Sequence, residues 1–221
     1  RNAHAYGVLS MICNTAVRDG LLDRTPCQVV GALKVVPRKQ VRILSTVQLH
    51  GIADKLKQRK ETEQFGALVL LTAWCGLRFG EVTELRRKDI EPDASVLNLS
   101  RAVTHRASKD DTVPRCRIST TKAKETVRTV TIPPHIRADV VRHLNTFVAK
   151  GDDALLFPPD RGGCHLNDRV FNTALKEAAA TVDRADISAH DLRRFAGTKN
   201  AAVSSLAENM ARLGHKTVDA A

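Results

Sequence analysis

The sequence is poor in aromatic residues. Phe, Trp and Tyr together make up 4% of 221 residues, with a single Trp and a single Tyr. A core must therefore rest on Leu, Val, Ala and Ile, within a hydrophobic content of 43%. Long apolar runs are also missing. The most apolar stretch, ALVLLTAWCGL at 67–77, falls short of the roughly 20 residues a membrane-spanning helix needs, so no membrane partner is expected. No secretory leader opens the chain, and with Arg1 in place of Met the sequence is expected to be a fragment. Cysteine is sparse and scattered: Cys13, Cys27, Cys75, Cys116 and Cys164 form no C-x-x-C pair. That pattern signals neither a zinc ribbon nor a disulfide framework. Their apolar neighbours predict buried free thiols in a reducing cytoplasm. The histidines show no H-x-x-x-H spacing, so neither a metal nor another cofactor is expected. Repeats and low-complexity segments are absent.

Positive charge is abundant. Lys and Arg number 35 against 24 Asp and Glu, a formal net charge of +11. Such a field favours a polyanion through phosphate contacts and counterion release, and nucleic acid is the expected partner. The excess is uneven: up to residue 44 there are seven Lys/Arg and two Asp/Glu, a net of +5. Residues 31–44, GALKVVPRKQVRIL, read as a basic linker with Pro37 inside it, either lying along a DNA backbone or simply solvated.

Around that linker the periodicity is mostly helical. Ala5, Val8, Leu9, Ile12, Cys13, Ala16 and Val17 predict a helix over 3–18, stopped at Gly20. Ser45-Thr-Val-Gln48 has the form of a capping box opening a helix to about residue 59. An apolar helix follows over 62–75, with Gly76 as its stop, and GEVTELRRKDI predicts another short one. The period then changes to two: SVLNLS, RCRIST and VRTVTIP alternate as strands do. Further helices are predicted over 135–149, 167–181 and 189–200, and a second capping box at Ser205–Glu208 opens one that stops at Gly214. The expected architecture is α+β, mainly α-helical, with one small antiparallel β-sheet.

Four stretches carry chemistry. In CGLRFGEV, Arg78 lies at a buried helix end with Glu81 three residues on, able to orient it or to form a core-edge ion pair with it. In TTKAKETVRTVTIP, Lys122 and Lys124 fall where one strand turns into the next, a place that is often only a solvated hairpin tip. In SAHDLRRF, His190 and Arg193 are i and i+3 and share a helix face, the wall of a phosphate site or a solvated basic face. In ARLGHKT, His215 directly follows the Gly214 stop.

In this order, GLRFGE, a hairpin lysine, AHDLRRF and LGHKT resemble the tyrosine recombinase family, the phage integrases above all. The resemblance covers 45–221 as the catalytic domain. YGVLSMICNTAVRDGLLDRTPC, within residues 1–30, is similar to the last helix of the family's core-binding domain, with 31–44 as the interdomain linker. It implies the tyrosine recombinase catalytic fold and site-specific recombination through a 3′-phosphotyrosine. Arg78 and Arg193 would clamp the non-bridging phosphate oxygens, with bidentate bonds that suit guanidinium. Lys122 would protonate the departing 5′-oxygen, with Lys124 the alternative or a DNA contact. His190 would act as base or proton relay, since imidazole titrates near neutrality. His215 would donate to the phosphate and Glu81 would brace the site. The resemblance places the nucleophilic tyrosine on the next helix after His215, just beyond Ala221, and disfavours Tyr6, which sits on an apolar-striped helix of the preceding domain. The residues as given would then polarise DNA without cutting it.

The resemblance further implies double-stranded attachment sites as substrate, a tetramer of integrase subunits, a host DNA-bending factor, and the bacterial cytoplasm as the place of action. Charge alone suggests Lys34, Arg38, Lys39, Arg42, Arg86, Arg87, Lys88 and Arg194 as further DNA contacts. Two other activities fit the same residues: DNA relaxation by a type IB topoisomerase, and DNA binding by a non-catalytic regulator that kept the fold.

Overall fold

The computed structural model describes residues 2–33, 42–105, 115–120, 127–159, 162–201 and 205. The chain divides into two compact units, Arg1–Arg42 and Ile43–Ala221. The first holds helix α1, Asn2–Arg18. The segment after it folds back along α1, and the Tyr6 hydroxyl accepts the Val29 backbone N–H at 2.8 Å. Along α1, Cys13, Ala16 and Val17 are half-buried, while Leu9, Met11 and Ile12 are all more than half exposed.

The second unit opens with α2, Thr46–Lys57, and its capping box is formed as the sequence predicts. Ser45 Oγ accepts the Gln48 N–H and Gln48 Oε1 accepts the Ser45 N–H, both at 3.1 Å. Helix α3, Glu63–Cys75, is apolar on every side and buried almost throughout. A helix hydrophobic all round belongs in the centre of a core, and α3 packs against α2, α5 and α7. It stops at Gly76, whose φ of 67° lies in the left-handed region that glycine adopts without a Cβ penalty.

The expected helix over GEVTELRRKDI is a correction. Helix α4 covers only Phe79–Val82, and a separate 3₁₀ turn covers Arg87–Asp89. Between and after them the backbone pairs with a distant segment. Leu85 O accepts from Leu156 N, Arg87 N donates to Ala154 O, and Lys88 N donates to Asp152 O. These long-range bonds satisfy the groups a continuous helix would have used.

The expected small antiparallel sheet is present, and among the described residues it consists of two ladders: β1, Val96–Leu99, with β4, Arg128–Thr131; and β2, Arg101–His105, with β3, Cys116–Thr120. Strand β2 was not anticipated from RAVTH. It continues β1 past Ser100, and the ladder changes partner there. In β2–β3, His105 stands opposite Cys116; in β1–β4, Leu97 stands opposite Val130.

Helix α5, Pro134–Thr146, carries Pro at its first turn, where no intrahelical N–H is needed. It ends three residues earlier than predicted, where Arg87 donates to the carbonyls of Leu144, Val148 and Ala149. Helices α6, Asp168–Ala180, and α7, Ala189–Ala201, follow. Ser205 is described; the rest of its predicted capping box and the Gly214 stop lie outside the described residues. The few aromatics meet in the core, where Phe171 stacks on Phe79 and meets Phe65 edge-on, and Trp74 meets Phe195 edge-on.

The cysteine expectation needs correcting too. Only Cys75 is a buried free thiol; Cys13 and Cys27 are half-buried, and Cys116 and Cys164 form a disulfide. No helix among the described residues is long and apolar enough to cross a membrane.

One buried group gives the fold a pH dependence. His143 donates from Nε2 to Leu156 O at 2.7 Å and lies between Phe147 and Phe157. Burial first, and Arg142 to a lesser degree, push its pKa from 6.5 down to about 4. The native state holds it neutral while the unfolded chain protonates it, so its contribution is complete above about pH 6.5 and fades as pH falls toward 4. Between pH 7 and pH 5 the loss is about 2 kcal/mol. A His143→Gln variant, unfolded in urea at both pH values, is expected to lose less stability than the parent by that amount. Equal losses would remove His143 as the cause.

Candidate active site

The chain's sharp turn after α3 builds the site. Gly76 ends the helix, Leu77 is buried, and Arg78 begins α4. Glu81, one turn on, is 1% exposed. Its carboxylate accepts the Arg78 backbone N–H at 2.8 Å and the Arg78 guanidinium at 2.9 Å. The neighbouring Gly80 is fixed by space, because a Cβ there would collide with the Val103 carbonyl of β2.

Helix α7 supplies the second arginine. Ser188 and Asp191 open it: the Asp191 carboxylate accepts the Ser188 N–H at 3.0 Å and its hydroxyl at 2.8 Å. One turn in, buried Arg193 donates to the Gly76 carbonyl and sits 4.0 Å from the Glu81 carboxylate. That bond joins the C-terminal end of α3 to the face of α7. His190 lies one turn before Arg193 on α7 and is exposed, and exposed Arg194 is paired with Asp191 at 3.2 Å.

A third arginine, not anticipated from the sequence, completes the cluster. Arg128 of β4 grips Glu81 with two parallel bonds, 3.0 Å to Oε1 and 2.9 Å to Oε2. A signal for it existed. Arg128 and Val130 are in phase on a strand, so a basic residue falls on the face that buries Val130. A charge on that face needs a partner.

One carboxylate thus serves three guanidiniums, and their charges govern its titration. Burial alone would raise the Glu81 pKa, but the hydrogen bonds and charges of Arg128, then Arg78, hold it below the ordinary carboxylate value. Arg193 is pulled down to about 10, by burial first and then by the charge of Arg78, against the opposing pull of Glu81. Among the described residues, three guanidiniums gather around one carboxylate, which concentrates positive charge in a partly enclosed place. Such a place attracts an anion, and parallel guanidinium donors suit the oxygens of a phosphodiester.

The other candidates divide. Lys122, Lys124, His215, Lys34, Arg38 and Lys39 lie outside the described residues. Arg42 is exposed, in the first unit. Arg86, Arg87 and Lys88 all have protein acceptors. Arg86 bonds Glu84 and Asp153, Lys88 bonds Asp153 at 2.6 Å, and Arg87 holds the end of α5. Their charge ties this segment to its neighbours. A second polar cluster went unanticipated: buried Glu84 meets Arg86, Arg101 and His165, and Arg101 also meets Asp89.

The chain is 35% identical over 217 residues to an integrase of Mycobacterium phage D29, and 34% identical over 217 residues to one of Mycobacterium phage L5. Each match covers 97% of this chain and 55% of the relative, so the chain spans little more than half the length of these relatives. Among solved structures it resembles the Tn1549 transposon integrase in complex with a circular intermediate DNA. That match has a TM-score of 0.80 at 16% identity, over 98% of this chain and 72% of that one. A lambda integrase dimer bound to a core site gives 0.62 at 13% identity, with the same coverage. At such identities the likeness shows the fold, which is that of tyrosine recombinase catalytic domains. The model of the phage integrase family matches residues 42–220, and the chain belongs to that family.

Proposed function

We propose that this chain is the catalytic part of a site-specific recombinase that integrates and excises phage DNA. The observation that carries the reading is the cluster around Glu81, where Arg78 and Arg193, from two different helices, meet one buried carboxylate. In the reaction a tyrosine oxygen attacks the scissile phosphorus and the bond from phosphorus to the 5′-oxygen breaks. A 3′-phosphotyrosine forms, and a 5′-hydroxyl of the partner strand later attacks it and releases the tyrosine. Two transesterifications conserve the bond energy, so neither ATP nor a metal is called for. Arg78 and Arg193 stabilise charge growing on the non-bridging oxygens. Lys122 protonates the leaving 5′-oxygen, His190 relays the nucleophile's proton, and His215 donates to the phosphate.

Tyr6 is not the nucleophile in this reading, because its hydroxyl already accepts the Val29 N–H within the first unit. In this reading the nucleophilic tyrosine follows the His215 motif. The substrates are attachment-site duplexes, worked on by a tetramer with a host bending factor in the bacterial cytoplasm. Residues 1–30 belong to the core-binding domain, and the basic residues of the 31–44 linker track phosphates. The relatives, named as integrases, support recombination over DNA relaxation.

The proton donor gives the sharpest test. In the full-length protein, Lys122→Ala is expected to slow cleavage of a nicked suicide duplex by about 10²–10⁴-fold, the usual range for general acid catalysis. A 5′-phosphorothiolate at the scissile position, whose sulfur leaves without a proton, restores the rate. Rescue of Lys124→Ala in its place would move the role two residues along.

A further inference from the structure

Away from the arginine cluster, two cysteines and a histidine converge, with a second histidine beside one of the cysteines, and the recombination chemistry uses none of them. His105 and Cys116 stand opposite each other at the end of the β2–β3 ladder, with Cys116 Sγ 3.6 Å from His105 Nδ1. Cys164 and His165 arrive from a distant segment before α6. Cys116 Sγ, Cys164 Sγ and a ring nitrogen of His165 all lie within 4.8 Å of one another.

The two imidazoles are prepared in the same way. His105 Nε2 bonds the Leu166 carbonyl at 3.2 Å, and His165 Nε2 bonds the Glu84 carboxylate. Both acceptors lack a proton, so each Nε2 carries the hydrogen and, in the neutral ring, each Nδ1 carries a lone pair. His165 is 8% exposed, and its Nδ1 is buried with no hydrogen-bond partner among the described residues. A disulfide gives that nitrogen nothing to do, whereas a metal ion would use it. Metal-bound histidines usually donate their other nitrogen to a carboxylate or a backbone carbonyl, and those are the two acceptors here.

We propose that Cys116, Cys164, His105 and His165 form a tetrahedral zinc site when the cysteines are reduced. Zinc bonds of about 2.3 Å to sulfur and 2.0–2.1 Å to nitrogen place neighbouring ligands roughly 3.4–3.8 Å apart, and the Cys116–His105 pair already has that spacing. In the structure the two sulfurs are bonded to each other. Exchange with two molecules of a small thiol reductant gives one oxidised reductant disulfide and two cysteine thiols. Zinc then forms two Zn–S bonds and two Zn–N bonds and releases two protons. The four ligands set closure as the function, with no open position for substrate. The ion would tie the hairpin end to the segment before α6 and, through Glu84, to Arg86 and Arg101.

The test uses the whole chain, reduced with a phosphine, loaded with Zn²⁺ or Co²⁺ and desalted. Elemental analysis is expected to find about one zinc per chain. The cobalt form is expected to show thiolate charge transfer and the strong visible bands of a tetrahedral site. Cys164→Ser, an exposed position that tolerates the change, is expected to lose at least nine-tenths of the bound metal, and His105→Ala to lose the tetrahedral bands. Cys13→Ser leaves both signals intact. A reduced chain that retains no metal overturns the proposal, as does metal that survives Cys164→Ser or departs with Cys13→Ser.

Discussion

Replacing Arg193 is expected to abolish strand cleavage while leaving DNA affinity nearly unchanged. Arg193 is the buried member of the clamp, and its position is set twice, by the Gly76 carbonyl and by the Glu81 carboxylate. A donor aimed at developing charge in a site of low polarity is worth about 10²–10³-fold in rate when removed. Arg193→Lys sharpens the comparison. It keeps a positive charge but not the planar fork, so one ammonium must choose between the Gly76 carbonyl, Glu81 and the phosphate. Both variants should fall by a factor in that range or beyond, with lysine no better than about tenfold above alanine. Binding responds differently because affinity for duplex DNA is spread over many phosphate contacts. One lost contact changes it a few-fold. The measurement is covalent protein–DNA complex formed by the full-length protein on a nicked suicide duplex, set beside an affinity titration at fixed salt. Cleavage by Arg193→Lys near the parent rate would remove the clamp assignment, and a parallel collapse of affinity would make Arg193 a docking residue.

Part of this cluster, Arg78 with Glu81 and Arg193, was legible in the sequence. Gly76 and Glu81 bracket Arg78 within six residues, and helical spacing places His190 and Arg193 on one face, so local rules sufficed. The same rules found the Ser45 capping box and the strands of VRTVTIP and SVLNLS. What escaped was set by partners far along the chain. The helix expected over GEVTELRRKDI was lost because the backbone of Leu85, Arg87 and Lys88 pairs with residues 152–156. Charge alone offers Arg86, Arg87 and Lys88 as DNA contacts and does not show their protein partners. In space they meet Glu84, Asp153 and the last carbonyls of α5. Cys116 and Cys164 carry no spacing signal, because a hairpin end and a loop before α6 bring them together over a separation of 48 residues. Arg128 could have been found by asking which face of its strand it occupies.

The largest effect on stability is expected from Glu81→Gln. Among the described residues, Glu81 is the carboxylate that Arg78, Arg128 and Arg193 share, and its own pKa is held low by them. Removing that charge keeps the shape of the side chain but leaves three guanidiniums facing one another, two of them largely buried. Breaking a buried ion pair by neutralising one partner costs about 3–5 kcal/mol. In a domain of this size each kcal/mol moves the melting temperature by roughly 2–4 °C, so a fall of at least about 6 °C is expected. The cause separates this loss from a generic packing defect. Sulfate, a tetrahedral oxyanion like the phosphodiester's charged centre, can replace the missing negative charge and stabilise by binding the folded state alone. At matched ionic strength, sulfate should raise the melting temperature of Glu81→Gln more than that of the parent, while chloride does not. A variant that melts with the parent would show that the carboxylate is not what holds the arginines. A variant that falls but gains nothing from sulfate would show that the pocket does not accept an oxyanion, and the phosphate clamp would go with it.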